Sequence, residues 1–511
     1  LTSLFHYTRT GELRQVQLPD GADLTLTQDA AGRESLRTGG SFVQQREYDV
    51  MGWLTREMCG AQHDGHLLAA QTREYRYDGA GNLTGVRHNR DAEGYRLDAT
   101  GRVLDVLSGG AGKPVDTTAR YHYTRTGLPQ EAGRLTEWQS GRLVQHDDTH
   151  YQYDRAGRLI RKQVVQPGYR PQVWQYRWDS RNQLRVVDTP TGERWLYRYD
   201  PFGRRVGKRC DQKAEEIRYL WDGDQIAEIR HYRHGQLIQR RHWVYNGWEL
   251  VVQQRQHTGG DWETDFVTSS QNGTPQALFT PDGTLRWQAP TATLWGQRQA
   301  EKSESPDPGL AFAGQLRDSE SGLCYNRFRY YDPAGGCYVS PDPIGIAGGE
   351  SNYGYVHNPV SWVDPWGLTP CKGLPSTRTS GGTGAKYSKT DGQGLYVLHD
   401  GKNILYVGRG DAPSRLGIHA ETAGKSHLRQ DIIFNNNLTK AEAKFLEQKI
   451  MDLNGGPLSV SKSTSLLNEI RSYSPNNPNA PIYDVAGHNK DWGSKILDDA
   501  LSVLKGKGLW P

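Results

Sequence analysis

A short phrase recurs through the first part of this chain and limits what that part can become. It consists of an aromatic or apolar residue, an aspartate, two variable positions, a glycine, a polar residue and an apolar one. It reads Tyr48-Asp49-Val50-Met51-Gly52-Trp53-Leu54, Tyr77-Asp78-Gly79-Ala80-Gly81-Asn82-Leu83 and Leu97-Asp98-Ala99-Thr100-Gly101-Arg102-Val103. Tyr153-Asp154-Arg155-Ala156-Gly157-Arg158-Leu159 follows, and Trp178-Asp179, Tyr199-Asp200-Pro201-Phe202-Gly203-Arg204 and Trp221-Asp222-Gly223-Asp224 continue the series. Self-similarity at about 20–30 residues per unit marks a repeat architecture. Before each aspartate, aromatic and polar residues alternate, as in Tyr75-Arg76-Tyr77 and Tyr151-Gln152-Tyr153, which is the period of a strand. Asp-x-x-Gly is turn chemistry: the aspartate bonds nearby backbone and the glycine takes a positive φ. A hairpin of this kind cannot bury its face alone, so successive copies must stack into continuous β-sheet.

At 511 residues the chain calls for two or more domains. Charged residues make up 23%, and no apolar run is long enough to cross a membrane. The chain opens on Leu1 with no basic-then-apolar leader, so it reads as part of something longer. Five cysteines (Cys59, Cys210, Cys324, Cys337, Cys371) are scattered without a Cys-x-x-Cys pair; they read as free thiols, and neither a zinc ribbon nor a disulfide scaffold is expected. Net charge is +4, and residues 369–511 carry 18 Lys and Arg against 13 Asp and Glu. The positive excess therefore lies in the last quarter and leans toward a polyanionic partner.

The composition changes at Pro359-Val360-Ser361-Trp362-Val363-Asp364-Pro365-Trp366-Gly367-Leu368. Upstream stand Arg327-Phe328-Arg329-Tyr330-Tyr331-Asp332-Pro333, Ser340-Pro341-Asp342-Pro343-Ile344-Gly345 and Asn352-Tyr353-Gly354-Tyr355-Val356-His357-Asn358-Pro359. Residues 1–368 resemble the Rhs, or YD-repeat, family, and 311–368 resemble its core-associated ending. The resemblance implies a mainly β fold, a cocoon-like β-shell of stacked hairpins enclosing a C-terminal cargo. It also implies aspartyl self-cleavage by Asp342 and Asp364, with the cut between Leu368 and Thr369. Two carboxylates brought together cannot both ionise easily, so one keeps a proton and acts as acid while its partner activates a nucleophile. The plainer reading of each Asp-Pro is a turn opener, as expected for Asp332-Pro333. An adhesive or carbohydrate-binding β-solenoid is the rival for the repeats.

Residues 369–392 are rich in Gly, Ser, Thr and Lys and read as a linker. Gly394-Leu395-Tyr396-Val397-Leu398 and Ile404-Leu405-Tyr406-Val407-Gly408 flank Asp400-Gly401, which predicts a hairpin. A helix is expected around 412–419, with Arg415 and His419 four apart on one face. A second is expected over 438–451, where Thr439 and Glu442 suit a capping box and Ala443, Leu446 and Ile450 form a stripe. A third is expected near Trp492–Lys505. His399, His427 and His488 read as solvent-facing.

Over about residues 393–470 these pieces resemble the GIY-YIG endonuclease family, with Leu395 where that family has Ile. The resemblance implies a small α/β nuclease. Tyr396 or Tyr406 would handle the water proton, Arg415 would neutralise the phosphate and His419 would assist it, and Asn468 would hydrogen-bond it. Gly408 and Arg409 would contact substrate, and Glu447 would hold one divalent cation, Mg²⁺, as Lewis acid. The expected domains are thus a repeat shell over 1–310, a self-cleaving segment over 311–368, a linker over 369–392 and a nuclease over 393–511.

The family resemblance further implies a toxin secreted between bacteria, commonly by type VI secretion carrier proteins, acting in the target-cell cytoplasm. DNA would be its substrate, with RNA open, and a cognate immunity protein would protect the producer. A toxin of other chemistry, such as an ADP-ribosyltransferase, remains an alternative.

Overall fold

The computed structural model describes residues 3–8, 12–89, 91–110, 113–298, 306–349, 351–372, 393–410, 425, 427–438, 440–454, 466–468 and 492–510. The chain divides into two compact units, Leu1–Thr377 and Arg378–Pro511.

Each repeat in the first unit folds as its residues dictate. Asp154 Oδ1 accepts from the Arg158 N–H at 2.9 Å, and its Oδ2 accepts from Arg158 Nε at 2.8 Å. Gly157, at φ +78°, closes the same turn with its N–H on the Asp154 carbonyl. Asp98–Arg102 and Asp200–Arg204 repeat the arrangement. The turns link antiparallel strands, each paired with the next in sequence. Twelve strands from Leu4–Tyr7 to Pro129–Glu131 form one sheet, and fifteen from Thr136–Gln139 to Leu285–Gln288 form another.

Here the expectation of a closed β-shell, the cocoon of stacked hairpins, is corrected. Each sheet is an open meander whose first and last strands are not paired to each other, so neither closes on itself. The repeat supplies a neighbour for every interior strand, but nothing in it pairs the two ends.

The sheets meet around Phe42, stacked on Phe266 at 5.2 Å between ring centroids. Arg37, fully buried, reaches from Glu34 to Glu249 across the join. A four-stranded sheet (Leu316–Asp318, Leu323–Asn326, Arg329–Asp332, Cys337–Tyr338) carries the end of the unit. Its Leu323, Tyr325, Tyr330 and Cys337 share one core with Leu159, Tyr176, Leu184 and Tyr197 of the fifteen-stranded sheet. Buried ions fix its position: Asp318 receives Arg205 Nη2 at 2.9 Å and Lys208 Nζ at 2.8 Å, and Asp332 receives Lys162 at 3.1 Å. Charges so far from water hold only because each is paired. All five cysteines are free thiols.

The second unit has a three-stranded sheet in the order Ile404–Gly410, Gln393–His399, Arg429–Leu438. The expected hairpin forms, with Asp400 Oδ1 accepting from the Lys402 and Asn403 N–H groups at 2.8 Å. A helix over Lys440–Leu453 lays Ala443, Leu446 and Ile450 against Leu395, Val397 and Val407. A second over Trp492–Gly506 adds Ala500 and Leu504 to that core. The strand Arg429–Leu438 was not expected from sequence. His399, expected at the surface, is 6% exposed and bonds Asp431 Oδ2 at 2.9 Å; His427 is exposed as expected. The helix expected around 412–419, most of the linker, Thr439 and His488 lie outside the described residues.

Candidate functional site

Arg329 organises the end of the first unit. Its strand Arg329–Asp332 is buried throughout, and the guanidinium lies 3.6 Å from the centre of the Tyr338 ring. From there Nη2 reaches Asp342 Oδ2 at 2.9 Å and Asp364 Oδ2 at 3.3 Å. The two aspartates, 22 positions apart in sequence, thus share one cation, and their side chains are 2% and 0% exposed. Nε donates to the Gly367 carbonyl and Nη1 to that of Asn352 at 3.3 Å. The cation therefore ties together the segments carrying both carboxylates.

The two acids have unlike surroundings. Asp364 accepts from the Tyr338 hydroxyl at 2.8 Å on Oδ2, and from the Leu368 and Thr369 N–H groups at 2.8 and 3.1 Å on Oδ1. Asn326 Nδ2 steadies the same corner, donating to Tyr338 Oη and to the Asp364 carbonyl. Asp342 accepts on Oδ1 from the Ile344 N–H at 3.0 Å. Burial pushes its carboxyl up to about 6, against the opposite pull of Arg329.

Between the acids runs the Leu368–Thr369 peptide. Its N–H points at Asp364 Oδ1. Its carbonyl oxygen flanks, with Asp342 Oδ2, the small space beside Gly348. The strand pair Trp362–Val363 and Cys371–Lys372 closes the loop that contains this peptide, with Val363 opposite Cys371. Leu368 is half-buried and Thr369 exposed. Arg329, Tyr338, Asn326 and Gly348 were not singled out from sequence. The available signal was an arginine inside the aromatic strand Arg329-Tyr330-Tyr331.

In the second unit the expected residues divide over two sheet faces. Tyr396 stands opposite Gly408 in the ladder, and a Cβ at Gly408 would overlap the Tyr396 ring. Tyr396 is 1% exposed and packs with Leu398, Leu405 and Tyr406. Tyr406 is half-buried, 6.3 Å from Tyr396 between ring centroids, and the Lys425 ammonium lies 3.7 Å from the centre of its ring. Arg409 lies on the other face, opposite Leu395, and its Nε donates to Glu447 Oε2 at 3.0 Å. Asn468 clasps the backbone of Val407, accepting from its N–H at 2.9 Å and donating to its carbonyl at 2.7 Å. Arg415 and His419 lie outside the described residues.

Glu447, the carboxylate expected to hold Mg²⁺, is half-buried and pairs through Oε2 with Arg409 Nε. Among the described residues no three His, Cys, Asp or Glu side chains cluster as a metal cage.

Consecutive hairpins with Asp-x-x-Gly turns in open antiparallel sheets, followed by a small four-stranded sheet, are the architecture of a YD-repeat protein. The chain belongs to the Teneurin YD-shell family, whose model matches residues 42–347. It is 94% identical over 375 residues to "Probable deoxyribonuclease RhsA" of Dickeya dadantii (strain 3937), covering 73% of this chain and 26% of that protein. "Probable deoxyribonuclease RhsB" of the same strain matches at 94% over 372 residues, with the same shares. "Double-stranded DNA deaminase toxin A" of Burkholderia cenocepacia (strain H111) is 27% identical over 476 residues, 84% of this chain and 32% of that one.

The chain thus spans about a quarter of the length of its Dickeya relatives, and the 375 matched residues nearly equal the length of the first unit, Leu1–Thr377. Among solved structures, the crystal structure of TcdB2-TccC3-TEV shares the fold at a TM-score of 0.50 and 18% identity, covering 72% of this chain and 20% of that one.

Proposed function

We propose that this chain is part of an Rhs-type interbacterial toxin that cuts itself after Leu368 and frees a nuclease. The observation that carries the reading is the pair of acids on opposite sides of one peptide, Asp364 at its N–H and Asp342 beside its carbonyl. Asp342, its carboxyl raised by burial, is the acid that polarises the Leu368 carbonyl. Asp364 takes a proton from the attacking water and delivers it to the leaving nitrogen. The water oxygen bonds to the Leu368 carbonyl carbon, the C–N bond breaks, and Leu368 leaves as a carboxylate and Thr369 as an amine. Arg329 holds both acids in register throughout.

Intact mass of the purified chain tests this. The unaltered protein should run as 1–368 and 369–511, and Asp342→Asn or Asp364→Asn should leave a single chain. If both asparagine chains are cut as the parent is, the pair is not the catalyst.

For the freed unit we propose metal-dependent phosphodiester hydrolysis, DNA being favoured over RNA. The reading rests on the order of hairpin and helix, the spacing of Tyr396, Tyr406, Arg415, His419 and Glu447, and the names of the Dickeya relatives. Glu447 would hold Mg²⁺, which when bound lends Lewis acidity to a phosphoryl oxygen. Arg409 and Arg415 would neutralise the phosphate, His419 would assist, and Asn468 would hold the strand Ile404–Gly410 in place through the Val407 backbone. Of the two tyrosines, Tyr406 is the more exposed, with the Lys425 ammonium over its ring, and would handle the water proton. Glu447→Ala in the full chain should abolish plasmid nicking in Mg²⁺; survival of nicking would end the assignment.

The similarity to the deaminase toxin favours, as a second reading, another nucleic-acid chemistry on the same repeat array. A zinc deaminase needs a His/Cys/Cys set. All five cysteines of this chain precede residue 378, so the second unit lacks those ligands. Delivery by type VI secretion into a target-cell cytoplasm, and an immunity protein in the producer, complete the proposal.

A further inference from the structure

Three glycines surround the short 3-10 turn Gly345–Gly348, and they are there for different reasons. Gly345 and Gly349 have φ of +59° and +147°, and an added Cβ at either would meet nothing within 4 Å. Their glycines serve the backbone. Gly348 is the reverse case. It is absent from the residues with positive φ, so alanine could adopt its conformation. Yet a Cβ there would stand well inside 3.0 Å of two atoms at once, Asp342 Oδ2 and the Leu368 carbonyl oxygen. Both belong to the proposed reaction, one as acid and the other on the scissile peptide.

We infer that Gly348 is a positioning residue for self-cleavage: its missing side chain is the slot in which the Asp342 carboxyl meets the Leu368 carbonyl. The inference rests on the self-cleavage reading above.

Asp342 has little freedom to yield. Its N–H donates to the Asn352 carbonyl at 3.0 Å, its carbonyl accepts from the Gly345 N–H at 3.0 Å, and Oδ1 is taken by the Ile344 N–H. Oδ2 is held by Arg329. The Leu368 carbonyl is restrained in turn, because the N–H groups of Leu368 and Thr369 both sit on Asp364. A methyl group at Gly348 must therefore push acid and carbonyl apart, and a displacement of about 1 Å at a reacting pair is enough to cost about 100-fold in rate.

The test uses the full chain, with cleavage followed by intact mass and folding by thermal melting. Gly348→Ala should fold with a lowered melting temperature, since the added methyl overlaps two restrained atoms, and be cut at least about 100-fold more slowly. Its residual cleavage should lose rate at a lower pH than the unaltered chain does, because a displaced Asp342 is more hydrated. Asp342→Glu, a carboxyl one methylene longer in a slot without spare room, should also fold and stay uncut.

Cleavage of Gly348→Ala at the parent rate overturns the inference. So does slow cleavage with an unchanged pH profile, which would mark Gly348 as merely structural. If Gly348→Ala does not fold, Asp342→Glu decides: uncut and folded supports the slot, and parent-rate cleavage overturns it. Cleavage of both Asp342→Asn and Asp364→Asn would instead sink the self-cleavage reading itself, a separate outcome from Gly348→Ala being cut while the asparagine chains are not.

Discussion

Asp342 and Asp364 share one arginine but differ in what else touches them, and that difference has a pH signature. Asp342 ordinarily titrates near 3.8 and is raised to about 6 in the fold by burial. Between about pH 4 and 6 the folded chain keeps a proton that the unfolded chain has released. Stability from this group is therefore complete below that window and declines as pH rises through it. The same protonation governs the proposed acid. Self-cleavage of freshly translated chain should be fastest below about pH 6 and slow by about tenfold per unit above it. Gel time courses from pH 5.5 to 8 check this, and a flat profile would remove Asp342 as the acid. A phenol–carboxylate contact adds a second check: Tyr338→Phe removes the 2.8 Å bond to Asp364 and should slow cleavage by about 10-fold while leaving it detectable. Sequence showed both aspartates, because each precedes proline in a sharply written motif. Arg329 was not legible as their partner, since an arginine within an aromatic strand looks like any other strand arginine until the fold sets Asp342 and Asp364 on either side of it.

Hairpins were the most readable elements, because period-two alternation and Asp-x-x-Gly turns are local signals. Arg158 and Arg204 even carry the cross-turn ion pair with Asp154 and Asp200. The strand Arg429–Leu438 was missed for the opposite reason. Its apolar centre, Ile432-Ile433-Phe434, runs straight into Asn435-Asn436-Asn437, which reads as a loop, and its pairing with Gln393–His399 is long-range. Packing between elements was invisible as well. Arg205 lies against the Tyr197, Tyr219 and Tyr325 rings and pairs with Asp318, although the two residues are 113 positions apart. Asp318→Asn should leave Arg205 and Lys208 short of charge in the interior and cost about 3–5 kcal/mol, measurable by urea denaturation. Gly157 links a repeat turn to the cleavage segment: at φ +78° it admits no side chain without strain, and a Cβ would overlap the Tyr353 hydroxyl, which donates to the Gly157 carbonyl. Gly157→Ala should lower the melting temperature and slow self-cleavage together.

At the scale of the whole molecule, repeats predicted stacking correctly and closure wrongly. A repeat specifies its neighbours, whereas closure depends on what the terminal strands meet, and Leu4–Tyr7 and Pro129–Glu131 are not paired to each other. The strand pair around the proposed cut has a mechanical meaning of its own. In an intact chain, tension applied across residue 368 travels along covalent backbone. Once the Leu368–Thr369 bond is hydrolysed, the same load passes through the Trp362–Val363 and Cys371–Lys372 ladder, two residues on each side. Hydrolysis at that position thus turns a join of covalent strength into one that a modest pull can peel open.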